Sequence, residues 1–190
     1  MPVIGGHVSD HLVVIGDSIS SGLGGRVLPW PAVMQQMTRV EVRNLARPGA
    51  TVIEGQAMAE KVTPEDRLVL IEIGGNDLIA GTPSDVFARG LEAIVAKVAV
   101  SGRTVVMFEL PLLPHKIAYG QVQRRLAAKY SISLIPKRYL TGVIAGEDAT
   151  SDGLHLTDIG ARRMALLVTQ ILSPVLKTPP DKPTSLSTHP

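Results

Sequence analysis

Short apolar runs alternate along this chain with stretches in which apolar residues recur every three or four positions. Leu12-Val13-Val14-Ile15 is the first such run, and Gly16 closes it. A brief run rich in β-branched residues and stopped by glycine predicts a strand buried on both faces. Residues 40–43, 67–73, 104–108 and 132–135 repeat the pattern, the run ending in Ile73-Gly74-Gly75 being the strongest. Between them lie helical patterns: residues 31–37, opened by Pro31 at a tolerated first-turn position, and a weakly periodic stretch over 52–61. After Pro83, Val86, Leu91, Ile94, Val95 and Val98 recur at helical spacing, with Gly102 as the expected cap. Residues 121–130 read as a further helix. Residues 158–172 read as the last, with Ile159, Met164, Leu167, Val168 and Ile171 on its apolar side.

Strands alternating with helices predict an α/β fold, a parallel sheet with helices on both faces. Five strands favour the flavodoxin-like order 2-1-3-4-5, which leaves a crevice between the first and third strands at their carboxyl ends. No internal repeat is visible. The 190 residues, 45% of them apolar, suit one well-filled core and are too few for two ordinary domains. We read residues 1–176 as that single domain and residues 177–190, rich in Pro, Ser and Thr, as a disordered tail.

The predicted crevice collects the residues with chemical potential. The first strand runs into Gly16-Asp17-Ser18, the second into Asn44 and then Gly49, and the third into Gly74-Gly75-Asn76-Asp77. Beyond the fifth strand, Asp152-Gly153-Leu154-His155 leads into the last helix. Acyl transfer needs a nucleophile, a base, a group that orients the base, and donors for the oxyanion. Ser18 on a tight turn can expose its hydroxyl. Histidine is the residue type suited to taking that proton near neutrality, and His155 is placed for it. Asp152, three residues earlier, can hold the other ring nitrogen and fix the tautomer. The backbone N–H groups of Ser18 and Gly49 and the Asn76 side chain can serve as oxyanion donors.

Taken singly these signals are weak. Gly-Asp-Ser is a common turn, Asp152 could be a turn residue and His155 a helix-entry residue. Their order, each at a carboxyl strand end, is what carries the reading. His7, His11, His115 and His189 compete poorly, by position or for want of a nearby carboxylate. Asp17 reads as structural, accepting backbone N–H groups, and Asp77 and Glu109 as satisfying local loops. Met34, Met37 and Met58 read as packing residues.

The four segments resemble the four sequence blocks of the SGNH (GDSL-type) hydrolases, and they occur in that family's order. Gly16-Asp17-Ser18-Ile19-Ser20 resembles the nucleophile block and residues 44–51 the glycine block, with Gly49 at the oxyanion position. Gly74-Gly75-Asn76-Asp77 resembles the asparagine block and residues 152–155 the acid-base block. The likeness spans residues 12–172, includes Trp30-Pro31, and is greatest to the short lysophospholipase, thioesterase and arylesterase members. It implies a three-layer α/β/α sandwich, hydrolysis of esters or thioesters, and no cofactor. Ala46 departs from the glycine of some members. The segment over 110–115 is short and apolar where relatives carry longer loops.

That segment sets the expected substrate. Leu112, Leu113 and Ile117 are expected to wall the acyl site and to favour short- to medium-chain carboxylic esters, with a lysophospholipid or acyl thioester as the alternative. The partner implied is a small-molecule ester. Net charge is +2 and aromatics are 3% of the chain, which argues against a nucleic-acid surface. A catalytically inactive fold that only binds is a second reading, against which the intact blocks speak. Gly22-Leu23-Gly24-Gly25 hints at a dinucleotide loop, but that pattern's last glycine falls on Val27. No metal is expected, since no His, Asp and Glu set has ligand spacing. A monomer is the default. No apolar run reaches the ~18 residues of a membrane span. Residues 1–10 lack the features of a signal peptide, while Gly5-Gly6 ahead of the first strand leaves loss of a leader open. The absence of cysteine does not decide between cytoplasm and export.

Overall fold

The five apolar runs form five parallel strands: β1 (His11–Gly16), β2 (Glu41–Asn44), β3 (Leu68–Glu72), β4 (Thr104–Phe108) and β5 (Ser133–Ile135). They pair in the order β2-β1-β3-β4-β5, the flavodoxin-like arrangement expected from the alternation. This computed structural model describes residue 2 and residues 4–22, 27–111 and 116–177. Its helices are α1 (Ser18–Ser21), α2 (Trp30–Thr38), α3 (Val52–Ala59) and α4 (Gly75–Ala80), then α5 (Ser84–Val98), α6 (Ile117–Lys129), α7 (Arg138–Ile144) and α8 (Asp158–Leu172).

Successive residues of a strand point to opposite faces, and this alternation divides the core in two. Leu12, Val14, Leu70, Val106 and Phe108 face α2, α7 and α8, where Trp30, Met34, Leu140, Met164 and Val168 meet them. Val13, Ile15, Val69, Ile71 and Met107 face α3, α5 and α6, packing on Met58, Phe87, Leu91, Ile94 and Leu126. The result is the expected three-layer sandwich. Each fully buried large side chain of this kind stabilises the fold by roughly 1.5–3 kcal/mol.

The helices follow their apolar stripes with five corrections. The stripe of α5 centres on Phe87, which is buried, while Val86 is only half-buried. That helix ends at Ala99, whose N–H reaches Val95 O, so Gly102 does not cap it but turns the chain into β4. On α8, Ile159 is exposed and Leu167 half-buried, because Gly160, Ala161 and Ala165 bring the buried stripe close to its neighbours. Met37 is 45% exposed at the outer side of α2, unlike buried Met34 and Met58. Helix α6 begins a turn earlier than its pattern suggested. Tyr119 is buried there at 4.6 Å between ring centroids from Phe87, and its hydroxyl donates to Thr82 O, with Asp77 O at 3.2 Å.

Three short helices were not expected: α1, α4 and α7. Each follows a strand at its carboxyl end, and none is long enough to display a helical period. Gly74 makes α4 possible. It holds φ +112 at the N-cap, and a side chain there would press within 2.8 Å of Phe87.

Register brings the chemistry together. Gly16 pairs with Glu72 across β1 and β3, so Ser18 and Asn76 leave the sheet side by side. The Arg47 N–H donates to Gly16 O at 3.2 Å, which ties the Gly49 loop to the end of β1. At the opposite end of the chain, Lys177 is not free: its N–H donates to Ser9 O at 2.8 Å. The rest of the expected tail lies outside the described residues.

Candidate active site

Asp17 shapes the turn that carries Ser18. As N-cap of α1 it accepts the Ile19 N–H on Oδ1 at 3.0 Å, and its carbonyl accepts from Ser20 and Ser21 at 3.2 and 2.9 Å. The structural role expected of Asp17 is therefore present. Ser18 is the first residue of this helical turn, where an amide has no intrahelical acceptor. Its side chain borders the crevice although only 7% of the residue is exposed.

Asn76 stands opposite, on the first turn of α4. Its Nδ2 donates to Ala50 O at 2.9 Å, and the contact to Asp17 Oδ2 is long at 3.4 Å. One amide hydrogen is thus committed to the Gly49–Ala50 turn and the other is only weakly engaged. Asp77, expected to serve a local loop, reaches further: its Oδ2 accepts the Val52 N–H at 2.9 Å and fixes α4 to the start of α3. Burial raises the Asp77 carboxyl above its usual range, and the Val52 amide offsets part of that. The Gly49 turn itself is exposed, closed by Ala50 N–H to Arg47 O at 3.3 Å.

The acid-base segment is a self-contained grip. Asp152 Oδ1 accepts the N–H groups of Leu154 and His155 at 3.0 and 2.8 Å. Its Oδ2 lies 2.6 Å from His155 Nδ1. The His155 side chain and those two amides hold the Asp152 carboxyl down at about 2, so it is ionised at neutral pH. An ionised carboxylate only accepts, so Nδ1 carries the proton and Nε2 presents its lone pair.

Behind Ser18 two carboxyl groups are buried together. Burial pushes Asp17 up to about 6, with Asp77 adding to the rise and the Ile19 amide and His155 opposing it. Glu72 is held well above the carboxylate range by complete burial and by Asp17 beside it. Sequence reasoning missed Glu72, although an acid inside the apolar run Leu68–Glu72 is itself a signal.

These elements surround a cavity of about 300 Å³, bordered by Ser18, Asp17, Glu72 and Asn76 on one side. Ile19, Leu78, Ile79, Leu110, Leu140 and Leu154 make up most of its apolar wall. The acid-base segment enters through Gly153 and Leu154, next to Asp152 and His155. No direct Ser18–His155 hydrogen bond is formed among the described residues. Ile117 does not line the cavity. It is 58% exposed on the first turn of α6, whereas Leu140 and Ile144 of α7 border the cavity. Leu112 and Leu113 lie outside the described residues, as does His115. Among the described residues no His, Asp and Glu group is arranged to hold a metal ion.

Comparison with known proteins places this geometry. An arylesterase of Vibrio mimicus is 30% identical over 165 residues, covering 77% of this chain and 80% of that protein. The esterase TesA of Pseudomonas aeruginosa is 29% identical over 179 residues, covering 87% and 89%. A crystal structure of TesA superposes with a TM-score of 0.73 at 27% identity, over 87% of this chain and 99% of that one. Residues 14–163 match the GDSL-like Lipase/Acylhydrolase family, and the chain, with its Ser18 turn, Asn76 turn and Asp152–His155 segment gathered at one sheet edge, belongs to that family.

Proposed function

We propose that this protein is a serine esterase that cleaves short- to medium-chain carboxylic esters through an acyl-enzyme. Ser18 is the nucleophile, His155 the general base and Asp152 its orienter. The Ser18 and Gly49 amides and the Asn76 side chain receive the oxyanion. The observation that carries this reading is the 2.6 Å contact of Asp152 Oδ2 with His155 Nδ1, beside a cavity bordered by Ser18 and Asn76. It leaves the base in the tautomer that can accept a proton and puts an acyl-sized hollow next to the hydroxyl.

The steps follow from the atoms. Ser18 Oγ attacks the ester carbonyl carbon as its proton passes to His155 Nε2. The carbonyl oxygen becomes an oxyanion facing preorganised donors, which bind it more strongly than the neutral carbonyl. The imidazolium formed is balanced by ionised Asp152. Collapse of the intermediate expels the alkoxide, which leaves as the alcohol with the proton from His155. Water then attacks the acyl-serine by the same route, and the free acid departs as Ser18 recovers its proton.

Acyl length is read from the hollow. About 300 Å³ stands at the small end of the ~300–1,000 Å³ typical of ligand pockets. Its wall is mostly leucine and isoleucine, which rewards the first carbons of an acyl chain. An organophosphorus ester should label the protein once, at Ser18, and Ser18→Ala should abolish labelling. Label found on another residue, or retained in the alanine variant, overturns the assignment. A p-nitrophenyl ester series with its optimum at the longest chains would replace the short acyl ester by a lysophospholipid or acyl thioester.

A further inference from the structure

Glu72 ends β3 directly beneath the turn that carries Ser18, and the reaction just described makes no use of it. Its residue is 3% exposed, and among the described residues no lysine, arginine or histidine forms an ion pair with it. What it touches belongs to the nucleophile turn. Ser20 Oγ donates to Glu72 Oε2 at 2.7 Å, from the same short turn as Asp17 and Ser18.

The direction of that first bond is set by a third residue. Trp30 Nε1 can only donate, and it donates to Ser20 Oγ at 3.1 Å. The single Ser20 hydroxyl proton is therefore free to point at Glu72. Asn44 Nδ2 holds the Ser20 carbonyl at 2.8 Å from the other side. The chain is so close here that a side chain on Gly16 would come within 2.9 Å of both Ser20 Oγ and Glu72 O. Trp30, Ser20 and Glu72 thus form a buried chain of hydrogen bonds anchored on the short helix that Ser18 begins.

We propose that Glu72 is a positioning residue for the ester-cleaving site: its buried carboxyl, through the Ser20 hydroxyl, holds the turn that aims Ser18 Oγ at the substrate. The inference rests on the reading of Ser18 as nucleophile.

The protonation state follows from the surroundings. A charged carboxylate without a cation is costly to bury, so the group is kept as the neutral acid. The charged or titratable groups facing this pair are Asp17 from the nucleophile turn, Asp77 from α4 and His155 from the acid-base segment. The first two are acids, and neither assists ionisation of Glu72. Glutamine has the shape and the acceptor of the neutral acid; alanine has neither.

The test compares Glu72→Gln with Glu72→Ala. Alanine should lower kcat by about 10²-fold with KM within about twofold, the loss expected when an attacking group is displaced by about an ångström. Glutamine should restore most of that loss. Ser20→Ala, which removes the donor without touching the carboxyl, should lower kcat in the same way and keeps the question answerable if Glu72→Ala does not fold.

The fall in kcat at constant KM and its rescue by glutamine are what a plain packing role would not produce, and melting temperature reads the protonation state of the carboxyl. A carboxyl raised in the folded state favours folding fully below its ordinary range of about 4.3, and that contribution is lost as pH rises. The Tm of Glu72→Gln relative to wild type should therefore climb between pH 4 and pH 8. A Glu72→Gln variant as impaired as Glu72→Ala, or a loss confined to KM, overturns the proposal, whereas a Tm difference flat with pH overturns the neutral state assigned to the carboxyl. Ser18→Ala is run alongside. Activity surviving there overturns the nucleophile reading itself, whereas its loss beside indifferent Glu72 variants overturns only the role of Glu72.

Discussion

Asp152 holds His155 at two points, accepting the backbone N–H on Oδ1 at 2.8 Å and meeting ring Nδ1 with Oδ2 at 2.6 Å. The carboxylate thereby sets both the position of the residue and the rotation and tautomer of its ring. Three residues of separation suffice because Leu154 N–H closes the same turn on Oδ1.

Asp152→Asn tests this grip. The amide can still accept a backbone N–H, but it neither balances the imidazolium nor fixes the tautomer. We expect kcat to fall by about 10²–10⁴-fold, less than the roughly 10⁶-fold for Ser18→Ala. Steady-state kinetics on p-nitrophenyl acetate checks the ranking, and a Ser18→Ala enzyme that outperforms Asp152→Asn contradicts it.

The same contact has an acid signature. Asp152 is held at about 2, below its ordinary 3.8, so its contribution to folding is present above that value and lost as pH falls toward 2. The Tm gap between wild type and Asp152→Asn should be constant above pH 4 and close below it. Thermal unfolding at pH 2–6 measures this. A gap that widens in acid would mean that the carboxylate is not stabilised by His155 in the folded protein.

Asn76→Ala should lower kcat by about 10²–10³-fold with KM little changed, the pattern of one lost transition-state donor. The same substitution removes the 2.9 Å bond to Ala50 O, so unfolding should become easier by about 1 kcal/mol. A change confined to KM would mean that Asn76 binds only the ground state.

How far the sequence discloses this site depends on where each residue sits. Ser18, Asn76, Asp152 and His155 stand in short polar segments that interrupt apolar runs, and strand order alone brings them to one edge. Asp152 and His155 are legible as a pair because three residues separate them. Glu72 stands at the end of an apolar strand, where an acid is a signal without a location, and only its register partner Gly16 places it under Ser18. Leu140 and Ile144 belong to the 7-residue helix α7, too short for a period to appear, and they reach the cavity through tertiary packing that no local pattern encodes. The strands are legible to within a residue or two because buried parallel strands are continuous apolar runs. Helix α6 starts early because Tyr119 packs on Phe87, a contact 32 residues away in the chain that local propensity cannot anticipate.

The α7 wall makes the acyl preference adjustable. Ile144 borders the cavity and is only half-buried, whereas Leu140 is enclosed and part of the core. Shortening Leu140 would cost about 2–5 kcal/mol of stability, which would blur any effect on selectivity. Ile144→Ala opens the same hollow with less damage to the core. Each methylene that gains cover is worth about 0.8 kcal/mol, or about fourfold in affinity per carbon. In the wild type, kcat/KM should rise over the first acyl carbons and fall once the chain outgrows the hollow. In Ile144→Ala the maximum should move to a longer chain, with acetate hydrolysis slightly weakened. Ile144→Trp should move it the other way by filling the space. A p-nitrophenyl series from two to sixteen carbons, run on the three enzymes, reads out the position of each maximum. If the maximum stays in place in both variants, the acyl chain does not lie between α4 and α7, and the wall must be sought beyond Pro111 instead.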